Sequence, residues 1–455
     1  MFRLFLSAAG PESCTPSTGH YYCVHFLHSF NFLVFECSRR VFYNIKCLAI
    51  SSGKRYLDTM STIMYPEIIL KKGREVSLLR GHPWIFSGAI AAINGNPAAG
   101  DIVLAKDSAG NHLALGFYNP LTDIAFRLLT NKCEENISQY FWQSRLHAAY
   151  KLRQKIIGEH TNAYRLINAE GDGFPGLIVD VYNSTLVLSI ATAGMEKQKN
   201  HVLNALLSQL KPIRIYEQSD SRSRVLEGLE SRNGVIFGEN KNDSVEIMEN
   251  GLKFEVDVVS GQKTGFFLDQ RVNREKLGAL SLEMNVLNCF CYTAAFSVYC
   301  AEGGAKRVVS LDISKPACIA ARKNLHLNWF SPENHPVIEA DVFIYLRNTQ
   351  ENFNMIILDP PAFAKNKRDV AKATRGYKEI NMQAIKHLTT GGILATFSCS
   401  NFIEEDLFYK IVLGAARDAG TDLQLLARLE AGPDHPVLLG HPEGRYLKGL
   451  LLVKK

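Results

Sequence analysis

The chain has 455 residues, 46% of them hydrophobic and 21% charged, with a net charge of +6. That is length enough for two or three domains, and the composition is that of an ordinary soluble globular chain, not a disordered or fibrous one. A slight basic excess is compatible with a polyanionic partner and equally with a plain solvated surface.

The ten cysteines are scattered, and no Cys-x-x-Cys pair occurs, so no metal site is expected and a reducing, cytoplasmic setting is. The most apolar early stretch, Phe26 to Phe35, is too short to span a bilayer and is interrupted by His28, Ser29 and Asn31, so no membrane association is expected. Met1 to Leu4 makes a poor signal peptide, with one Arg and only a few apolar residues.

Residues 1–59 are rich in Cys, Ser, Phe and His and show no sustained period of 2 or 3.6. They read as an extension outside the fold, with Met60 or Met64 as the real start; a targeting peptide is the rival reading. Residues 65–138 look like a small β domain. Its strands are expected at Ile68–Leu70, Gly100–Ala105 and Leu113–Tyr118, with a turn over Asp107–Asn111. Lys71, Lys72, Arg74 and Arg80 lie near Trp84 and Phe86, which suggests an RNA-binding face because cations hold phosphates and aromatics stack bases. The alternative is a basic surface over a core Trp.

Ser138 to Gly158 carries Phe141, Leu146, Ala149, Leu152 and Ile156 at helical spacing. Strands follow at Tyr164–Asn168, Leu177–Asp180, Thr185–Ile190 and Ile213–Glu217, with a helix over Met195–Leu210. This is a central α/β domain, 139–250. The third domain, 251–455, begins with a strand at Leu252–Val258 and a loop, Gln262 to Arg271, that runs into a helix. Strand–helix alternation then gives Val286–Asn288, Val308–Asp312 and Val337–Asp341 as strands. A βαβ unit closes the pattern: Met355–Leu358, a helix from Tyr377 to Leu388, and Ile393–Phe397. The fold class is therefore α/β, with a C-terminal doubly wound sheet.

In such sheets ligands sit beyond the carboxyl ends of the strands. Asp359, after Leu358, and Cys399, after Ser398, both stand there. Asp312 ends the second strand, where an acid commonly binds a ribose diol, and Asp341 ends the third, where it is placed to meet an adenine amine. Neither Gly-x-Gly-x-x-Gly nor a Walker A sequence occurs, so the ligand has a ribose and a base without needing a pyrophosphate. S-adenosylmethionine fits that description.

Several motifs together resemble one family. They are Lys-Lys-Gly-Arg-Glu-x-Ser-Leu-Leu-Arg (71–80), His-Pro-Trp-Ile-Phe-Ser-Gly (82–88), Lys-Thr-Gly-Phe-Phe-Leu-Asp-Gln-Arg (263–271) and Leu-Asn-Cys-Phe-Cys-Tyr-Thr (287–293). Asp-Pro-Pro-Ala-Phe (359–363), Arg-Gly-Tyr-Lys-Glu-Ile-Asn (375–381), Phe-Ser-Cys-Ser (397–400), Asp-His-Pro-Val (434–437) and Pro-Glu-Gly-x-Tyr-Leu-Lys (442–448) complete the set. The chain resembles the bacterial large-subunit rRNA 5-methylcytosine methyltransferases that carry an N-terminal PUA domain.

The resemblance implies a PUA domain, a central α/β domain and a Rossmann-like methyltransferase domain. It implies 23S rRNA or a large-subunit particle as partner, with a homodimer as one possible assembly. It implies Cys399 as nucleophile and Asp359 as the group that meets the base. It also implies that Gln262, Phe267, Asp269, Arg271, Asn288, Phe290, Tyr292, Asp312, Asp341 and Asp359 line the cofactor, and that Pro360 and Phe363 meet the substrate base with Lys71, Lys72, Arg74 and Arg80 on the RNA. For Cys399 the competing reading is a buried small hydrophobe. Cys289 and Cys291 are expected to be strand core.

One departure stands out. Relatives usually carry Gly-Gly after Tyr-Thr, and here Ala294-Ala295 stand instead. If either position needs a positive φ, alanine is strained there and cofactor affinity falls; the favoured expectation is that both sit in the first turn of a helix, where alanine is tolerated. Two other functions are open on sequence: an exocyclic-amine methyltransferase, whose Asp-Pro-Pro-x-Phe motif needs no Cys, and a non-catalytic rRNA-binding assembly factor. A nicotinamide-dependent dehydrogenase is disfavoured by the missing glycine loop.

Overall fold

The computed structural model describes residues 65–239 and 243–455. Before them it gives only the backbone of four antiparallel strands, His20–Leu27, Asn31–Ser38, Leu48–Ser51 and Lys54–Arg55, within a separate compact unit, Met1–Met64. The expectation that residues 1–59 are an extension concerns a segment outside the described residues.

A six-stranded sheet comes first: β1 (Glu67–Leu70), β2 (Trp84–Phe86), β3 (Ile90–Asn94), β4 (Ile102–Lys106), β5 (His112–Tyr118) and β6 (Ile124–Thr130), in the order β2-β6-β5-β4-β1-β3. Only the β1–β4 pair is parallel. Alternation places Ile68, Leu70, Val103, Ala105, Ala114 and Phe126 inside. β3 and β6 did not stand out in sequence. β3 is an exposed edge, and β6 is bulged, so neither alternates cleanly.

Helix α1 (Gln139–Ile156) and helix α2 (Ala193–Leu210) pack on a five-stranded sheet, β7 (Ala163–Asn168), β8 (Leu177–Tyr182), β9 (Thr185–Ile190), β10 (Arg214–Ser219) and β11 (Arg232–Gly238), paired in that order. The face of α1 differs from expectation. Leu152 is exposed, whereas Arg153 is buried because Asp172 pairs its guanidinium at 2.5 and 2.7 Å. A hairpin, β12 (Ser244–Glu249) and β13 (Leu252–Asp257), joins neither large sheet. Its Phe254 and Val256 pack with Tyr182 and Val187 on one side and Val298 and Tyr299 on the other.

After helix α3 (Arg271–Ala279) comes the sheet that carries the site. Its elements are β14 (Asn285–Cys289), α4 (Ala295–Glu302), β15 (Arg307–Asp312), α5 (Lys315–Leu327), β16 (Val337–Glu339), α6 (Val342–Asn348), β17 (Phe353–Leu358), α7 (Val370–His387), β18 (Leu388–Ser398), α8 (Glu405–Asp418), β19 (Leu423–Leu429) and β20 (Lys448–Lys454). The seven strands are ordered β16-β15-β14-β17-β18-β20-β19. The first five run parallel, and β20 runs antiparallel to both its neighbours. Met355, Ile356, Ile357, Leu394 and Ala395 are wholly buried, the near-continuous apolar pattern of strands covered on both faces. Order reverses between β14 and β17, so their carboxyl ends open the crevice where ligands bind in such sheets. Helix α7 starts seven residues before the expected Tyr377, behind a polar turn in which Asp369 accepts from the Asn366 amide at 2.8 Å.

Candidate active site

β17 stops at Leu358 because Pro360 and Pro361 cannot continue the ladder, and Asp359 is left on the rim. β18 stops at Ser398, and the turn Ser398-Cys399-Ser400 is held from below. The buried Tyr377 hydroxyl accepts from the Ser398 hydroxyl at 3.1 Å and lies 3.3 Å from that of Ser400. Lys448, at the start of β20, donates to the Ser400 carbonyl at 2.7 Å. Tyr377 and Lys448, singled out only as parts of motifs, thus frame Cys399.

The half-buried Asp359 accepts from the Gln270 side-chain amide at 3.1 Å. Burial, and then the neighbouring Asp269 carboxylate, push its carboxyl up to about 7. Burial and then Asp359 itself push the Cys399 thiol up, while Lys263 acts against that rise. A carboxyl that is about half protonated at neutral pH stands beside a thiol. That is a pair able to move a proton and form a covalent bond.

Asp269 is buried. Its Oδ2 accepts from Lys263 at 3.0 Å and from the Tyr446 hydroxyl, and these groups hold the carboxylate well below its ordinary range against the opposing effect of burial. Its Oδ1 has no partner among the described residues. Phe267 lies 4.4 Å below the Lys263 ammonium and 5.3 Å from the Tyr292 ring, and the Tyr292 hydroxyl accepts from the backbone of the exposed Gln262 at 3.0 Å. Each Asp312 oxygen receives one backbone N–H at 2.9 Å, from Tyr292 and from Ser314.

Between β14 and α4 the chain makes an unusual turn. Phe290, Tyr292 and Ala294 all have positive φ, at 60°, 48° and 59°. The expectation for Ala294-Ala295 is corrected here. Only Ala295 is helical, while Ala294 is a left-handed N-cap with its Cβ buried. Strain of this kind persists only where surroundings over-determine it. The turn is held from within: Cys291 N donates to the Leu311 carbonyl at 2.8 Å, Tyr292 N to Asp312 at 2.9 Å and Ala294 N to the Cys291 carbonyl at 2.8 Å.

Other expected residues are placed elsewhere. Arg271, expected beside the cofactor, has a partner inside the protein. It is buried against Asp434, 2.7 Å from Oδ1, because that carboxylate needs a partner inside the protein. Asn288 lies one residue before the end of β14 and points under α4, donating to Ser297 at 2.8 Å. Asp341 spends one oxygen on capping α6, accepting from Ile344 N at 3.0 Å. Pro360 is buried, and the half-buried Phe363 ring is already engaged by Tyr377 at 4.6 Å, Phe343 at 6.1 Å and Phe290 at 6.5 Å. Cys289 is strand core, as expected, while Cys291 is buried in the turn after the strand and not in the strand itself.

Lys71, Lys72, Arg74 and Arg80 are exposed, as is Phe86. Trp84 is not available beside them. Its indole N–H donates to Glu170 at 2.9 Å, Arg127 covers it at 5.2 Å, and His441 meets it edge-on at 4.4 Å.

Two motifs without an assigned role now have one. Asp434 accepts from the Arg165 amide at 3.0 Å and pairs with Arg271, while its carbonyl accepts from Arg153 at 2.9 Å. The Pro436 carbonyl accepts from Asn168 at 3.0 Å. Glu443 lies 3.4 Å from His82. Sequence spacing had no means of finding these ties, because the partners lie 163 to 361 residues apart.

An S-adenosylmethionine-dependent methyltransferase family model matches residues 165–452, and a PUA-like domain model matches 68–131. Ribosomal RNA large subunit methyltransferase I of Pseudoalteromonas translucida is 43% identical over 392 residues, covering 85% of this chain and 99% of the relative. The protein of the same name from Aeromonas salmonicida is 45% identical over 389 residues, covering 85% and 98%. Among solved structures, a chain described as a SAM-dependent methyltransferase from Streptococcus mutans is alike in fold, with a TM-score of 0.73 at 22% identity over 86% of this chain and all of that one. Another methyltransferase, solved with SAH, gives 0.74 at 23% identity over the same shares. The unpartnered Asp269 oxygen suits a cationic ligand and the twice-anchored Asp312 a ribose, as the crevice of a methyl-transfer enzyme requires. The chain belongs to the S-adenosylmethionine-dependent methyltransferases, among the ribosomal RNA large subunit methyltransferase I enzymes, and S-adenosylmethionine is its cofactor.

Proposed function

We propose that the enzyme methylates cytosine C5 in 23S rRNA, naked or in a large-subunit particle, through a covalent adduct of Cys399. The observation that carries this reading is the pairing on one rim of the Cys399 thiol with a carboxyl, Asp359, held near neutrality. Cytosine C5 is a poor nucleophile. Addition of the Cys399 thiolate to C6 forms an S–C6 bond and pushes an electron pair toward C5 and N3. Asp359, protonated, donates to N3 as that charge develops. The ring becomes an enamine, nucleophilic at C5. S-adenosylmethionine supplies the methyl group from its sulfonium. A base then takes the C5 proton, the N3 proton returns to the Asp359 carboxylate, and the electron pair re-forms the C5–C6 double bond as S–C6 breaks and the thiolate leaves.

Asp269, Asp312, Phe267 and Gln262 would hold the cofactor: Asp269 through its unpartnered oxygen and Asp312 through its remaining lone pairs. The target base must leave its stack to reach the rim. Lys71, Lys72, Arg74 and Arg80 with Phe86 form the surface that meets the RNA backbone, and the reaction belongs in the cytoplasm with the ribosome.

The test is methyl transfer from labelled S-adenosylmethionine to 23S rRNA, wild type beside Cys399→Ala, with the product nucleoside identified by mass spectrometry. 5-Methylcytidine from the wild type and none from the variant is expected. Methylation of an exocyclic amine that survives in Cys399→Ala overturns the reading.

A further inference from the structure

We propose that the loop after Asp359 and the first turn of α7 form a second RNA-binding surface, which grips the phosphates flanking the target nucleotide. The inference rests on the reading of RNA as substrate and deepens it, since the exposed cations of the first domain come from a different part of the chain. It also gives a role to Arg375, the first residue of the Arg-Gly-Tyr-Lys-Glu-Ile-Asn motif.

Five cations fall within residues 365–375: Lys365, Lys367, Arg368, Lys372 and Arg375. All five are exposed, and among the described residues none of their side chains makes an ion pair or a hydrogen bond. The cations around them behave otherwise. Arg347 pairs with Glu379, Lys378 with Asp418, Lys410 with Asp406 and Arg428 with Glu405. The acid inside the cluster, Asp369, is spent on the loop, accepting from Lys365 N at 3.1 Å and from the Asn366 amide at 2.8 Å. Lys372 and Arg375 are three residues apart and share one side of α7, away from the buried Ala373, Tyr377 and Ile380.

This arrangement opposes the stability of the helix. The N-terminal end of a helix carries partial positive charge, so acids suit it and cations do not. α8 obeys, with Glu405 and Asp406 in its first turn. α7 has no acid in its first turn; Lys367 and Arg368 stand just before it and Lys372 within it. A bound anion satisfies the cations and the helix end together.

Topology puts the surface on the reactive rim. α7 follows β17, so it starts at the carboxyl end of the sheet, where Asp359 and Cys399 stand. Ala364 N donates to the Ser400 hydroxyl at 3.3 Å, which ties the loop to the nucleophile turn. Gly376, next to Arg375, lies so close to Phe363 that an added Cβ would stand 3.3 Å from its ring. A nucleotide whose base meets Phe363 thus brings its neighbouring phosphates to these cations, and such contacts fix register without reading sequence.

Binding of labelled 23S rRNA to the whole protein, by filter retention over a series of salt concentrations, tests this. Each phosphate contact on a single strand adds about 0.7 to the slope of log affinity against log salt. The triple variant Lys367→Gln/Arg368→Gln/Lys372→Gln should therefore bind roughly ten- to a hundredfold more weakly at about 0.1 M salt, with a slope flatter by about 2. S-adenosylmethionine affinity by calorimetry should stay at the wild-type value, and the denaturation midpoint should not fall, because cations leave a helix N-terminus. Lys367→Arg/Lys372→Arg should bind as the wild type does. Lys365→Gln/Arg375→Gln serves if the triple variant does not fold, with a slope flatter by about 1. A Gln variant with wild-type affinity and slope overturns the proposal, as does weakened binding with an unchanged slope, since no phosphate contact has then been lost. Failure of the functional reading is seen separately: a wild type that binds 23S rRNA without methylating it fails that reading, and the binding comparison still decides this surface.

Discussion

Two aspartates of this chain, both near Arg or Lys side chains, behave in opposite ways. Asp434 lies in the seam between the five-stranded and seven-stranded sheets, and Asp359 lies on the rim of the latter. In the seam each buried charge is met. Arg271 pairs with Asp434, Arg165 with Asp180, Arg153 with Asp172, and Arg274 with Glu249. Asp434 is held well below its ordinary range by His435 and Arg271 against the effect of burial. On the rim, Asp359 has, among the described residues, an amide as its direct partner, and burial pushes it up to about 7. Satisfied charges fix how two units sit together; an unsatisfied one is available for proton transfer.

The largest way to break this contrast is Asp434→Ala. It leaves the Arg271 guanidinium buried and uncompensated, which should cost about 3–5 kcal/mol of stability in chemical denaturation. A loss under 1 kcal/mol would mean that the seam tolerates an empty partner. The pH dependence separates the two carboxyls by sign. Asp434 has a depressed folded pKa, so its contribution is present above the unfolded value and lost as pH falls through the folded one. Asp359 has a raised one, so its contribution is full below about 4 and lost as pH rises through about 7. Asp434→Asn should flatten the acid limb of a stability–pH curve, and Asp359→Asn should remove the decline between about 4 and 7.

Activity sharpens the same point. If Asp359 must be protonated while Cys399 is ionised, kcat/KM rises with pH to a break near 7 and then levels until the thiol titrates. Asp359→Asn should lower the rate roughly 10²–10⁴-fold and erase the break near 7. An unchanged break would assign it to another group. The smallest expected effect is a gain. Ala294→Gly relieves a left-handed alanine and should stabilise the fold by about 1 kcal/mol, read as a higher midpoint of denaturation, with tighter cofactor binding by calorimetry.

The parallel half of the large sheet was legible because each strand is a short apolar run closed by a turn or an acid. Asp359, Asp312 and Cys399 could be placed at strand ends for the same reason. The seam was not legible. Arg271 and Asp434 stand 163 residues apart, and nothing local marks either as the partner of the other. The resemblance gave Arg271 as a cofactor residue without showing the Asp434 that buries it, and the two readings of Trp84, stacking surface or core, could not be separated without Glu170, Arg127 and His441, which cage it. The left-handed Ala294 was one of two readings of that turn, and alanine's helix preference favoured the other. β19 escaped notice because it is an exposed edge strand without clean alternation.

Strand β20 lies between β18 and β19, both of which precede it in the chain. During synthesis those two strands emerge with a gap between them that only later residues fill. The gap-filling segment also delivers Lys448 beneath the nucleophile turn, and the residue two positions before it, Tyr446, reaches Asp269. A chain in which β20 has not docked holds an open sheet edge and lacks both Lys448 and Tyr446 at the rim, so one strand completes the sheet and the nucleophile turn together.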